Sequence, residues 1–202
     1  MVQEIKIRCK NNKKSQKVEI GSTLFDVFSS FDLKMTHGPV SARVNNKVEG
    51  MHYRVYNSKD VEFLDMNSAS GSRAYTRTLF FVLCKAVQDI YPNTDVVIDI
   101  PVSNGFYVDI RLGRPVVDED VNILRRRMQE IIDSKMPIRR FTVPTEEAIA
   151  LFQEKGDVEK VKLLRTSGSI YTTYYKIGEY VDYYYGTLLT NTSQLYLFGL
   201  EK

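Results

Sequence analysis

The chain has 202 residues, 43% of them apolar and 26% charged, with a formal net charge of +3. That is room for one or two soluble domains, each with its own core. No apolar run approaches the ~20 residues that span a bilayer. The start MVQEIKIRCK carries Glu4 where a signal peptide has its apolar centre, and Cys9 and Cys84 alone cannot build a disulfide framework or a four-cysteine zinc site. The expected setting is a reducing cytoplasm, with no membrane partner.

Residues 1–66 hold eleven Lys/Arg against eight Asp/Glu, the whole charge excess, while residues 67–202 hold seventeen of each. Gln3 to Cys9 reads as a strand paired with Lys17–Ile20 across a polar turn. Thr23 caps the helix that follows, with Asp26 as its capping-box partner and Leu24, Val27, Phe28 and Phe31 as a buried stripe. Val40–Val44 and Val61–Asp65 read as two further strands, separated by the turn residues Asn45–Asn46. This ββαββ pattern packs naturally as a small β-grasp-like domain over residues 1–66. Asn67 to Ser72 is small and polar and reads as a linker (67–72).

A second domain, 73–202, is expected to follow. Leu79, Val82, Leu83, Ala86, Val87 and Ile90 recur at helical spacing. Val96–Val102 and Phe106–Ile110 alternate on either side of Ser103-Asn104-Gly105, a hairpin signature because Asn and Gly tolerate positive φ. Asp118–Lys135 is an amphipathic helix with Val121, Leu124, Met128, Ile131 and Ile132 inward. Arg139–Val143 reads as a strand. Two short helices follow, separated by Gly156, and Ser169–Gly186 and Tyr196–Leu200 read as closing strands.

GSTLFDVF, ARVNNKV and SKDVEFLD resemble a TGS domain. The Leu79–Ile90 helix with its Tyr91-Pro92-Asn93 turn, NGFYVDI, DEDVNILRRRMQEII, EEAIALFQEKGDVEKVKLL and GEYVDYYYG, in that order, resemble the threonyl/alanyl-tRNA synthetase second additional (editing) domain. The resemblance implies an α+β fold for the whole chain. It also implies a site, because in that family a His-x-x-x-His pair on the helix and a later Cys-Arg-Gly-Pro-His segment activate water at an ester.

Neither motif is present. Alignment on Tyr91-Pro92 and on Val181-Asp182 puts Phe81, Lys85, Tyr184 and Leu188 at the degenerate editing-site positions. Imidazole and thiolate are the side chains such a site requires, and the only histidines, His37 and His52, lie in the first domain. We therefore expect no catalytic residue, no metal and no cofactor within this chain. No G-x-x-x-x-G-K-[ST] or G-x-G-x-x-G phosphate loop occurs either.

Several residues have both a binding and a structural reading. Lys10, Lys13 and Lys14 crowd one hairpin turn, as phosphate contacts or as a solvated loop. Arg125-Arg126-Arg127 lies on a polar helix face. Lys85 is a candidate anion contact or a lysine reaching solvent. Asp99 and Asp109 are read as outward residues of the hairpin rather than a carboxylate pair. Tyr183-Tyr184-Tyr185 cannot all enter one core, because adjacent strand residues face opposite sides. Tyr183 and Tyr185 are thus candidates for stacking on bases, or for packing against another domain.

The paired domains, with AYTRTLFFVLCKAV, PVSNGFYVDI, GEYVDYYYGTLL and LYLFGLEK, also resemble the N-terminal region of a bacterial uridine (nucleoside) kinase family. That resemblance implies a non-catalytic regulatory or structural region whose partner in cis is a C-terminal kinase domain. ATP and magnesium would belong to that domain. The alternative is an RNA- or small-ligand-binding module related to threonyl-tRNA synthetase with its editing site lost. The modest charge leads us to expect no RNA affinity beyond weak non-specific attraction.

Overall fold

The computed structural model describes residues 3–103 and 105–202, with side chains other than those of Asp99 and Ile100. The chain is a mixed α+β protein with several sheets. Strands β1 (Glu4–Cys9) and β2 (Ser15–Glu19), helix α1 (Leu24–Ser30), and strands β3 (Ser41–Val44), β4 (Lys47–Gly50) and β5 (Lys59–Leu64) come first. They build a five-stranded sheet in the order β2-β1-β5-β3-β4, in which β1 and β5 run parallel.

The expected capping box of α1 is present: Thr23 N–H donates to the Asp26 carboxylate at 2.8 Å, and Asp26 N–H donates back to Thr23 Oγ1 at 3.3 Å. Leu24, Val27 and Phe31 then pack with Ile7, Cys9, Val61 and Phe63 in one core. The four-strand expectation misses β4. Asn45 and Asn46 sit at φ 47° and 78°, so they form a two-residue hairpin turn that pairs Val44 with Lys47.

Helix α2 (Ala69–Ile90) opens the rest of the chain. The expected linker 67–72 is corrected here. Ser68 Oγ accepts the Gly71 N–H at 3.0 Å as an N-cap, so residues 69–72 are already helical. Gly71 is required there: a Cβ would lie 1.9 Å from the Asp65 carbonyl oxygen.

Strands β6 (Val96–Val102) and β7 (Gly105–Ile110) form the expected hairpin as a separate two-stranded sheet. The turn residue Asn104 and the side chain of Asp99 lie outside the described residues. Helix α3 (Asp118–Asp133) buries the five apolar residues expected of it. Strand β8 (Arg139–Pro144), helices α4 (Thr145–Glu154) and α5 (Val158–Thr166), and strands β9 (Tyr171–Ile177) and β10 (Tyr180–Tyr183) complete a sheet of order β10-β9-β8.

Residues 196–200 form no strand, contrary to expectation. Their backbone is held instead by Tyr75, whose hydroxyl donates to the Leu197 carbonyl at 2.6 Å and accepts the N–H groups of Tyr196 and Leu197. The N-terminal sheet abuts the remainder. Val40 joins the core built from α2, α3 and β9, His52 Nε2 donates to the Ile138 carbonyl at 3.1 Å, and His37 stacks on Tyr196 with ring centroids 4.1 Å apart. Among the described residues no helix is long and apolar enough to cross a membrane.

Candidate functional site

Helix α2 presents Phe81 to the core because 74, 78, 81 and 85 share one buried face. Phe81 is fully buried, with its ring against those of Tyr180 at 5.2 Å and Tyr184 at 5.6 Å. Leu188 belongs to the same cluster. The segment after it is strapped to α2, since Leu189 N–H donates to Thr78 Oγ1 at 2.9 Å. Phe81 and Tyr184 therefore touch, and Leu188 belongs to the same core, which forms an aromatic and aliphatic plug.

Lys85 lies one turn further along, and the anion reading is corrected for it. Its ammonium donates to both oxygens of Asp89, at 3.0 and 2.9 Å, and its side chain is only 10% exposed. Asp89 also accepts two bonds from Arg127, which reaches Glu130 at 2.8 Å. Lys85 is thus part of an ion-pair network joining α2 to α3. Among the described residues, no three His, Cys, Asp or Glu are placed to hold a metal.

Beside the plug lies a polar cluster that sequence reasoning missed. Lys160 bridges Asp182 at 2.9 Å and Asp157, the N-cap of α5, at 2.5 Å. Tyr180 donates to Asp182 at 2.8 Å, and Cys84 lies near both Tyr180 and Tyr184. Burial, then the Asp182 charge, pushes the Cys84 thiol up to about 12, so it stays protonated and is a poor nucleophile. Burial opposes the Lys160 ammonium, but Asp182 and Asp157 outweigh it and raise its pKa. Asp182 within the run VDYYY was the available signal, a carboxylate on a strand otherwise made of apolar and aromatic residues. Its partner 22 positions earlier was not visible.

The three consecutive tyrosines separate as alternation requires. Tyr183 packs on the small core of α4 and α5, Tyr184 on the main core, and Tyr185 is 87% exposed. Next to Tyr185, Gly186 accepts the Tyr175 hydroxyl at 2.8 Å and lies against the Arg77 guanidinium. Arg77 and Arg140 both act on Tyr175, whose pKa burial raises and these two cations pull down. The charge of Arg140 is also felt at Lys47 of β4, which pairs with Glu49 at 2.9 Å. Arg77 and Arg140 have no carboxylate within 4.0 Å among the described residues. Arg77 and Arg140 thus lie around Tyr175, where the Glu49 carboxylate also acts, and the exposed Tyr185 stands in the adjoining turn. Lys10, Lys13 and Lys14 are exposed on the β1–β2 turn. Asp109 pairs with Arg111 at 3.2 Å.

No protein-family model matches the chain. Similar curated proteins are the threonine–tRNA ligases of Acetivibrio thermocellus (30% identity over 181 residues), Clostridium kluyveri (29% over 192) and Clostridioides difficile (28% over 181). The matches cover 89%, 94% and 89% of this chain but only 28%, 30% and 28% of those proteins. They overturn the expectation of a uridine kinase parent, because it is threonine–tRNA ligases that match the chain along nearly its whole length.

Proposed function

We propose that the chain is a non-hydrolytic tRNA-binding module derived from the N-terminal part of a threonine–tRNA ligase. In this reading residues 1–66 are a β-grasp domain of the TGS kind and residues 73–202 an editing-like domain. The site of water activation has been replaced by packing, and the module needs no metal. The observation that supports binding is that Arg77 and Arg140, with no carboxylate within 4.0 Å among the described residues, lie around Tyr175, whose hydroxyl is tied to the turn that carries the exposed Tyr185. Unpaired cations take phosphates and an exposed aromatic takes a base. Overall charge balance in residues 67–202 is no obstacle, because binding depends on local clustering.

Fluorescence anisotropy with tRNA across a salt series tests this reading. Arg140→Ala should flatten the log-log salt slope by ~0.7–0.9 for each phosphate that Arg140 neutralises. Tyr185→Ala should weaken binding by ~1–3 kcal/mol and leave the slope unchanged. Mischarged tRNA should survive incubation with the protein. Hydrolysis that disappears when Lys160 or Cys84 is replaced, or binding indifferent to both variants, refutes the proposal.

A further inference from the structure

The C-terminal end of α3 is stitched to the last segment of the chain. Asn191 Nδ2 donates to the Lys135 carbonyl, Met136 N–H donates to Thr192 Oγ1, and Thr192 Oγ1 donates to the Ile131 carbonyl, each at 2.9 Å. Between these two elements lies a cleft of about 320 Å³, away from the site described above. Its apolar lining is Ile132 and Leu195, both buried, with Tyr196 and Phe198. Tyr196 is 52% exposed, yet its ring is fixed: His37 stacks on one face with centroids 4.1 Å apart, and Tyr75 makes a T-shaped contact at 5.6 Å. The rim is charged. Asp133 and Lys135 both line the cleft, and neither has an oppositely charged partner within 4.0 Å among the described residues. Gln129 Nε2 donates to Asp133 Oδ1 at 2.8 Å, which orients the carboxylate. Lys135 stands at φ +48°, a left-handed position that Gly or Asn fills with less strain.

We infer that this cleft binds a free α-amino acid with an aromatic side chain. Two opposite charges that share a rim without pairing suit a zwitterion, which offers each the group of opposite sign. A helix C-terminus carries partial negative charge, so the end of α3 adds to Asp133 in favouring the ammonium. Lys135 is left for the carboxylate. Tyr196 and Phe198, above the floor of Ile132 and Leu195, receive the side chain, since aromatic rings gain from offset and edge contacts. A phosphate would meet Asp133 on the same rim, so the cleft does not suit an RNA backbone. The volume lies at the lower end of ligand-sized sites, roughly 300–1,000 Å³, as a small ligand requires. Because the backbone is stitched and the Tyr196 ring is held, little ordering remains to oppose binding. This inference does not depend on Arg77, Arg140 or Tyr185, on which the tRNA reading rests.

The test is a titration of the protein followed by two-dimensional amide NMR. The probes are L-phenylalanine, 3-phenylpropanoate (no ammonium), phenethylamine (no carboxylate) and L-alanine (no ring). L-phenylalanine should shift the amides of Asp133, Lys135, Tyr196 and Phe198 to saturation, with a Kd of about 1 mM or below. Each of the other three should bind about fivefold more weakly or worse. Asp133→Asn keeps the side-chain shape, and Lys135→Asn keeps a residue that tolerates the left-handed backbone. Both variants should weaken L-phenylalanine binding about threefold or more, while Arg140→Ala leaves it unchanged. The probe series is read on the unaltered protein, so it decides the matter even if a variant fails to fold. No saturation by L-phenylalanine, equal affinity for any of the three incomplete probes, or indifference to both asparagine variants overturns the inference.

Discussion

The hydroxyl of Tyr175 donates to the carbonyl oxygen of Gly186 at 2.8 Å. It ties strand β9 to the turn that carries Tyr185, and the same glycine supports Arg77. Gly186 has φ +102°, and a Cβ there would lie 2.7 Å from Arg77 Nη1. Gly186→Ala should cost about 1 kcal/mol or more in urea unfolding and weaken tRNA binding by displacing Arg77. Unchanged stability and affinity would show that the turn is not held as described.

The thiols give a second expectation. Cys9 is fully buried and burial pushes Cys84 up to about 12, so the native protein should react slowly with Ellman's reagent at pH 8. Tyr184→Ala removes the ring over Cys84. By analogy with aromatic-to-alanine core changes it should cost ~3–5 kcal/mol and speed labelling of Cys84, which mass spectrometry can locate. Fast labelling of Cys84 in the unaltered protein would contradict the packing.

A third concerns acid. Arg114, then the Val117 N–H and the Tyr91 hydroxyl, hold the Asp120 carboxyl well below the usual range. A depressed folded-state pKa contributes stability that is fully present above the unfolded value of about 3.9 and lost as pH falls through the lower folded one. Asp120→Asn should therefore lower the melting temperature at pH 7 and flatten the decline in stability below about pH 4. An unchanged acid limb would remove Asp120 from the acid response.

The ion-pair network allows a fourth. Lys85→Met leaves Asp89 with Arg127, and Arg127→Met leaves it with Lys85. Only the double variant strands the carboxylate. A double-mutant cycle should show a coupling of ~0.5–3 kcal/mol, with the double variant worse than the sum. Additivity would mean that Asp89 is solvated well enough to need neither.

Periodicity made much of this molecule legible. The stripes of α1 and α3 and the alternation of the β6–β7 hairpin emerge because one face of each must be covered. Strand β4 escaped notice because Lys47-Val48-Glu49-Gly50 holds one apolar branched residue, and its strand character comes from the Asn45–Asn46 turn. Residues 67–72 misled because small polar residues also serve a helix cap and a close backbone approach, which Ser68 and Gly71 do here. The Lys160–Asp182 pair was hidden since nothing local to either residue announces a partner 22 positions away.

The packing of Phe81 against Tyr175, Tyr180 and Tyr184 bears on design. A histidine installed at 81 would enter a nest of three tyrosine rings. One installed at 85 would take from Asp89 one of its two cations. Each change lowers stability by itself, so building a metal-binding or hydrolytic site on this face of α2 would need concerted changes in the neighbouring rings and in the Asp89 network.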